Sequence, residues 1–333
     1  MKCRQWIGPW KDLETKPAIF RCLSRVAERQ FEIEDKDHFS GPTHQVVQDL
    51  KVKRKFHTVS MKLHLPSTLV GIFMLILVSM PSAVADDLLV SEHFERGGRG
   101  SDFQEHLENH KLLEIVRDEG VDGGRALRAT YQGYKEGSRR IVEEFPLSES
   151  ADEVSLSFDV NFEKDFDFTR GGKLHGIGPK NRVTGGKAMT KNGYSVRLMF
   201  GSKGGLKSYI YHQDQRGKYG DSKVASGFSF KRGRYYALTL HTKLNSTAEA
   251  KDGFVRVYVD GKLKIDHKGL RFRGSEDRDT LFSQLLFSTF HGGNTRAWAP
   301  QNADGSFATV HALFDNFAVY KGELIRAKPG RCW

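Results

Sequence analysis

The chain of 333 residues carries 52 Lys and Arg against 41 Asp and Glu, a formal charge of +11. After residue 85 no continuous basic run and no RNA-binding or helical DNA-reading signature occurs, so nucleic acid is excluded as the expected partner. Three cysteines, Cys3, Cys22 and Cys332, have neither metal-ligand spacing nor the number and placement of a disulfide framework.

Residues 1–60 mix charges, include the cluster "KVKRK" and lack sustained periodicity, which reads as translation from an upstream start or an extension rather than a folded domain. A basic cytoplasmic tail is the other reading of the same residues. From Met61 the chain reads "MKLHLPSTLVGIFMLILVSMPSAVADD": a basic residue, an apolar run from Leu69 to Val78, then small residues ending at Ala85. These are the three regions of a secretory signal, and the run is about half of the roughly 20 apolar residues that a membrane span needs. Residues 61–85 are therefore expected to be a cleaved signal, with the mature protein secreted or periplasmic and without stable membrane insertion. The remaining 86–333 keep 39 basic and 33 acidic residues, about +6, and are long enough for one domain with a substantial core.

Strand-like alternation then recurs along the chain. It runs through "EVSLSFDVNFE" (Val154 to Phe162), "YYALTLHTK" from Tyr235, "GFVRVYVDGKLKID" from Gly253, "FSQLLFSTF" from Phe282 and "ATVHALFDNFAVY" from Ala308. Asp260-Gly261 supplies a tight turn. With no long amphipathic helix after the signal and no repeat, the fold class expected is all-β, a jelly-roll β-sandwich of two antiparallel sheets.

Between these lies "YSVRLMFGSKGGLKSYIYHQ", Tyr194 to Gln213. Val196, Leu198 and Phe200 point one way, and Leu206, Ser208 and Ile210 alternate against Lys207, Tyr209 and Tyr211. With a loop at Gly201 to Gly205, opposed residue numbers sum to 406, which matches Val196 with Ile210 on the apolar side. Arg197 then faces Tyr209, and Ser195 faces Tyr211. A slip of one residue would put the tyrosines among the core residues. An ordinary cross-strand cluster of two tyrosines and an arginine is the plain alternative.

The segments "GGKLHGIG" (Gly171 to Gly178), "GYSVRLMF", "YIYHQDQ" and "FDNFAVY" together resemble polysaccharide lyase family 14, whose members cleave alginate or glucuronan. The resemblance runs over most of Asp86 to Lys321. It implies a β-jelly roll with a cleft on its concave sheet and places the family's functional positions at Lys173, Ser195, Arg197, Tyr209 and Tyr211. Two departures are His175 after "GGKL" and the histidine of "FHGGN" at Phe290 to Asn294.

The implied reaction is β-elimination on a uronate polymer, needing neither metal nor organic cofactor. Arg197, Lys173 and Ser195 would neutralise the substrate carboxylate and stabilise the enolate-like transition state. Tyr209 and Tyr211 form the acid/base pair with undivided roles, their pKa expected to be lowered by the adjacent cations. Hydrolysis would call for paired carboxylates, which this face lacks.

Further substrate contacts are expected from His175, two residues after Lys173 on an extended segment, from Lys207 beside the tyrosines, and from His291, Asn294 and Trp298 around a glycine-rich loop. His212, on the apolar face, reads as a satisfied, partly buried histidine, and "FDNF" as strand-end structure. Asn245-Ser246-Thr247 forms a glycosylation sequon. A non-catalytic, lectin-like jelly roll is the rival function, since fold alone does not fix activity.

Overall fold

The computed structural model describes residues 87–95 and 102–331; the expected signal, the residues before it and Cys332 lie outside the described residues. In chain order the strands are β1 (Leu88–Glu92), β2 (Leu113–Val116), β3 (Ala126–Tyr134), β4 (Gly137–Ser138), β5 (Ile141–Ala151), β6 (Glu153–Phe162), β7 (Gly171–Gly178) and β8 (Ser195–Gly201). There follow β9 (Gly205–Tyr211), β10 (Val224–Ser229), β11 (Tyr235–Lys243), β12 (Gly253–Val259), β13 (Lys262–Leu270), β14 (Phe282–His291) and β15 (Thr309–Lys321). A single α-helix among the described residues, α1, covers Asp102–Glu108.

The strands form two antiparallel sheets, as the alternation predicts. One has nine strands along the order β13-β12-β11-β6-β15-β3-β2, with β1 on β15 and β4 on β3; the other has six, in the order β10-β9-β8-β7-β14-β5. Their inner faces meet over Phe158, Phe162, Phe200, Phe287, Phe314 and Phe317, all fully buried. This is the period-2 pattern of an antiparallel sandwich, with aromatic rings filling the interlayer space.

On β6 both faces are buried. Val154, Leu156, Phe158, Val160 and Phe162 point into the sandwich, yet Ser155, Ser157 and Asp159 between them are equally excluded from solvent. The segment after β15 covers them. Ser155 Oγ donates to Gly322 O at 2.8 Å and accepts from Leu324 N at 3.0 Å. Arg326 Nη2 donates to Asp159 Oδ1 at 2.5 Å and to Gly330 O at 2.7 Å. A polar outer face can be buried this way because Ser155 and Asp159 find partners in that segment, while the Ser157 hydroxyl is left without one.

"FDNF" is not a strand end. It lies inside β15, where the register against β6 shifts between Asp315 and Ala318 and Asn316 adopts φ 50°, a bulge. The sequon asparagine is also structural: Asn245 is fully buried, donates to Thr247 O and Arg273 O, and accepts from Phe272 N. Among the described residues no helix is long and apolar enough to cross a membrane.

Candidate active site

The six-stranded sheet carries the site on its outer face. β8 and β9 pair as Ser195↔Tyr211, Val196↔Ile210, Arg197↔Tyr209, Leu198↔Ser208, Met199↔Lys207 and Phe200↔Leu206, every pair summing to 406. A 3₁₀ turn at Ser202–Gly204 joins them, with Lys203 at φ 56° and Gly204 at φ 78°. Val196, Leu198, Phe200, Leu206 and Ile210 are fully buried toward the sandwich. Arg197, Tyr209, Tyr211 and Lys207 consequently share the other face.

Lys173 reaches this face through a bulge in β7. Its pairing with β8 runs Lys173↔Met199 and then Gly176↔Arg197, so three residues of β7 oppose two of β8. Lys173 and Gly176 both turn outward, and Leu174 and His175 lie between them, both fully buried. Lys173 Nζ sits 3.2 Å from the Tyr209 ring centroid and 3.5 Å from Met199 Sδ.

The same bulge overturns the expectation for His175. Simple alternation would put it beside Lys173, but its ring lies inside the sandwich, with ring centroids 4.7 Å from Phe158, 4.2 Å from Phe287 and 4.6 Å from Phe314. Its Nδ1 accepts from Ser288 N at 3.2 Å, and burial holds its pKa well below the ordinary histidine value. It is a neutral core residue and cannot touch substrate.

His291 turns inward as well. It is fully buried, stacks on Phe166 at 5.3 Å and its Nε2 donates to Asp167 O at 2.6 Å, with burial holding its pKa down to about 4. Asn294 is exposed in the loop after β14. Trp298, half-buried in a 3₁₀ turn, lies so close to Gly293 that a Cβ there would be 2.1 Å from the indole. Lys207 is half-buried opposite Met199, its stem against Gly201. His212 is 6% exposed as its position predicts, but it is only half satisfied: Nε2 bonds Asp221 Oδ2 at 2.8 Å and Nδ1 has no partner.

The loop over residues 179–194 roofs the site and occupies several of its polar groups. Ser195 Oγ, fully buried, donates to Val183 O at 2.7 Å. Gly186 N donates to Tyr211 Oη at 2.9 Å, and Tyr209 Oη and Tyr211 Oη lie 3.1 Å apart. Arg197 Nη1 donates to Thr184 Oγ1 at 2.6 Å. Tyr211 and Ser195 thus hold the face together more than they line it.

Arg197 is the unusual charge. It is only 5% exposed, makes no ion pair among the described residues, and its Nε has no hydrogen-bond partner. Burial, with Arg182 adding, lowers its pKa to about 10. An unpaired buried cation is costly and is sustained where a ligand anion can complete it.

Sequence reasoning passed over several neighbours. Arg140 stacks over Phe290 at 4.7 Å, and Phe290 pairs with Lys173. Arg182, in the roofing loop, is ion-paired with Glu144 of β5. Burial first, then Arg197 and Arg140, hold the Lys173 ammonium well below the ordinary lysine pKa. The expectation for the tyrosines reverses at Tyr209, whose pKa rises, through burial first and then the bond and charge of Tyr211. An amine that sheds its proton readily lies against a phenol that keeps its own.

A two-sheet sandwich with a cation and tyrosine cluster on one outer face matches the fold and site positions implied by the resemblance to a polysaccharide lyase family. The sequence profile of the family Polysaccharide lyase 14 matches residues 126–317, and the chain belongs to that family. Its structure is similar to a mutant of the alginate lyase Aly36B in complex with an alginate tetrasaccharide: 25% identity, TM-score 0.56, covering 71% of this chain and 94% of that one. It is also similar to the marine alginate lyase of Aplysia kurodai, at 21% identity and TM-score 0.53 over 70% of this chain and 99% of the other, a likeness of fold. A comparison with curated proteins found no match.

Proposed function

We propose that this polysaccharide lyase cleaves an acidic, uronate-containing polysaccharide such as alginate or glucuronan by metal-independent β-elimination, and acts outside the cell after loss of residues 61–85. The observation that carries the reading is Arg197: a buried guanidinium without a carboxylate partner, beside Lys173 and the tyrosine pair. A uronate carboxylate supplies the missing anion, and the planar fork suits it. The alginate bound in the similar Aly36B structure supports the same substrate class.

The proton beside a carboxylate becomes removable when the developing enolate is stabilised, and Arg197 provides that stabilisation. The lowered Lys173 pKa suits it to accept the proton as a neutral amine, while the raised Tyr209 pKa suits that phenol to donate to the leaving glycosidic oxygen. This division differs from a tyrosine base. It follows from burial, which disfavours charge on both groups.

Incubation of the purified protein with alginate and with glucuronan tests the reading. Elimination leaves a conjugated double bond, so ultraviolet absorbance rises with depolymerisation. Binding without any rise indicates a lectin-like protein, and reducing ends without absorbance indicate a hydrolase. Amino-terminal sequencing of exported protein, expected to begin near Asp86, tests the processing.

A further inference from the structure

A pocket of about 840 Å³ lies outside the cleft, between β10 and the β12–β13 hairpin. β10 ends the six-stranded sheet and β13 the nine-stranded one, so the pocket opens where the two layers meet along one side. Local backbone chemistry makes the hollow. The pairing of β10 with β9 shifts register between Val224↔Lys207 and Ser229↔Gly205, and Gly227 within it takes φ 66°, a left-handed conformation that suits glycine. The strand bows there, and Gly227 to Ser229 become a wall.

The floor is aromatic. Phe228 meets Tyr236 edge-on with centroids 5.5 Å apart, and Tyr236 Oη accepts from Lys231 N at 3.0 Å. The rim is cationic, made of Lys231, Arg234, Lys262 and Lys264. Its acid, Asp260, is already committed: Oδ2 accepts from Arg234 Nη2 at 3.1 Å and Oδ1 from Ala237 N at 2.9 Å. Lys231, Lys262 and Lys264 form no ion pair among the described residues. Lys264 Nζ lies 5.9 Å from the Phe228 centroid, and Arg234 Cζ 4.7 Å from that of Tyr236.

We propose that this pocket is an accessory binding site for a second stretch of the acidic polysaccharide, separate from the cleft; the proposal rests on the polyuronate reading above. Aromatic faces take the apolar faces of sugar rings, and the surrounding cations take their carboxylates. The location is continuous with the cleft sheet. Lys207 faces Val224 across β9 and β10, so a chain leaving the cleft at Lys207 passes over β10 toward the pocket. Lysines that merely guard a sheet edge against pairing need no common focus. Here side chains from two segments distant in sequence converge on one hollow.

The test is Lys262→Glu with Lys264→Glu, against a control of equal charge change, Lys111→Glu with Arg117→Glu, which flanks β2 at the opposite edge of the nine-stranded sheet. Engaging two sites at once raises apparent affinity without new chemistry. The pocket variant is therefore expected to raise KM for long polyuronate by about tenfold relative to the control, with KM for a tetrasaccharide unmoved. Affinity electrophoresis through gels with and without the polymer reads the pocket independently of catalysis. Retardation weakened in the pocket variant and kept in the control supports the site, even if the protein cleaves no polyuronate, an outcome that would defeat only the cleft reading. Equal retardation and equal KM in both variants would overturn the site.

Discussion

Lys173 Nζ lies 3.2 Å from the ring centroid of Tyr209, placing an amine held well below its ordinary pKa against a phenol that resists ionisation. Burial disfavours the ammonium, so the folded chain releases this proton at lower pH than the unfolded chain, whose lysine titrates near about 10.4. The unfolded state binds more protons between those two values, and stability therefore rises as pH climbs through the folded pKa toward about 10.4. Lys173→Met is expected to abolish turnover while raising the neutral-pH melting temperature, an advantage that shrinks on the alkaline side. A melting temperature lowered at neutral pH would contradict the assignment.

Arg197→Ala removes the proposed carboxylate partner and should cost about 100- to 1,000-fold in turnover, the usual loss for one transition-state donor. Tyr209→Phe tests proton donation and should cost roughly 100- to 10,000-fold. Matched melting curves separate chemistry from unfolding. Near-native rates in both variants would remove the mechanism.

Gly176→Ala is expected to act on Arg197 indirectly. A Cβ at Gly176 would lie 2.1 Å from Val196 O and 2.6 Å from Arg197 Cγ, so either the β7–β8 pairing or the guanidinium must move. The expected result is lost kcat together with reduced stability. Native kcat with an unchanged melting curve would show that the strands absorb the methyl group.

Asp315 provides a pH test away from the cleft. Burial first, with Asp159 and Glu95 adding, pushes its carboxyl up to about 7 against the opposing amides of Val121 and Asn316. An unfolded Asp titrates near about 3.9, so its stabilising contribution is present at low pH and is lost as pH rises through about 7. Asp315→Asn should gain stability over the parent between about pH 4 and 7 and hold that gain above it. Denaturant midpoints across this range check the sign; a difference that does not vary with pH would refute it.

Arg326 and Asp159 are both fully excluded from solvent, and burial raises the Asp159 pKa even with its partner in place. Removing one member of such a pair strands the other. Arg326→Met is expected to cost about 3–5 kcal/mol in urea unfolding. A loss below about 1 kcal/mol would show that the C-terminal segment is not what covers β6.

The hairpin was legible because its information is local: two alternating runs, a glycine-rich turn and one register that buries both apolar faces. Lys173 could be placed beside it only by resemblance. His175 could not be read correctly, because strand alternation assumes an unbroken period of two and β7 contains a bulge. The inward turn of His291 follows from packing against Phe166 and Tyr131, which lie far away in sequence. The sign of the Tyr209 shift depends on how deeply the folded face is buried, and the cover on β6 depends on a segment about 170 residues later.

The bulge in β7 makes the distance from Lys173 to Gly176 an odd number of residues on one face of a strand. Deleting Leu174 or His175 would restore regular alternation and a flatter sheet. By every local measure that would be the better strand. With Gly176 kept in place opposite Arg197, the lysine would still pair with Met199 on the outer face, and only one side chain, not two, would enter the phenylalanine core between them. The shorter protein would keep its amine on the outer face and lose one of the two buried side chains, Leu174 or His175, from the interlayer packing. A family member with a one-residue gap here should therefore keep its lysine beside the tyrosines and show the difference in its core instead.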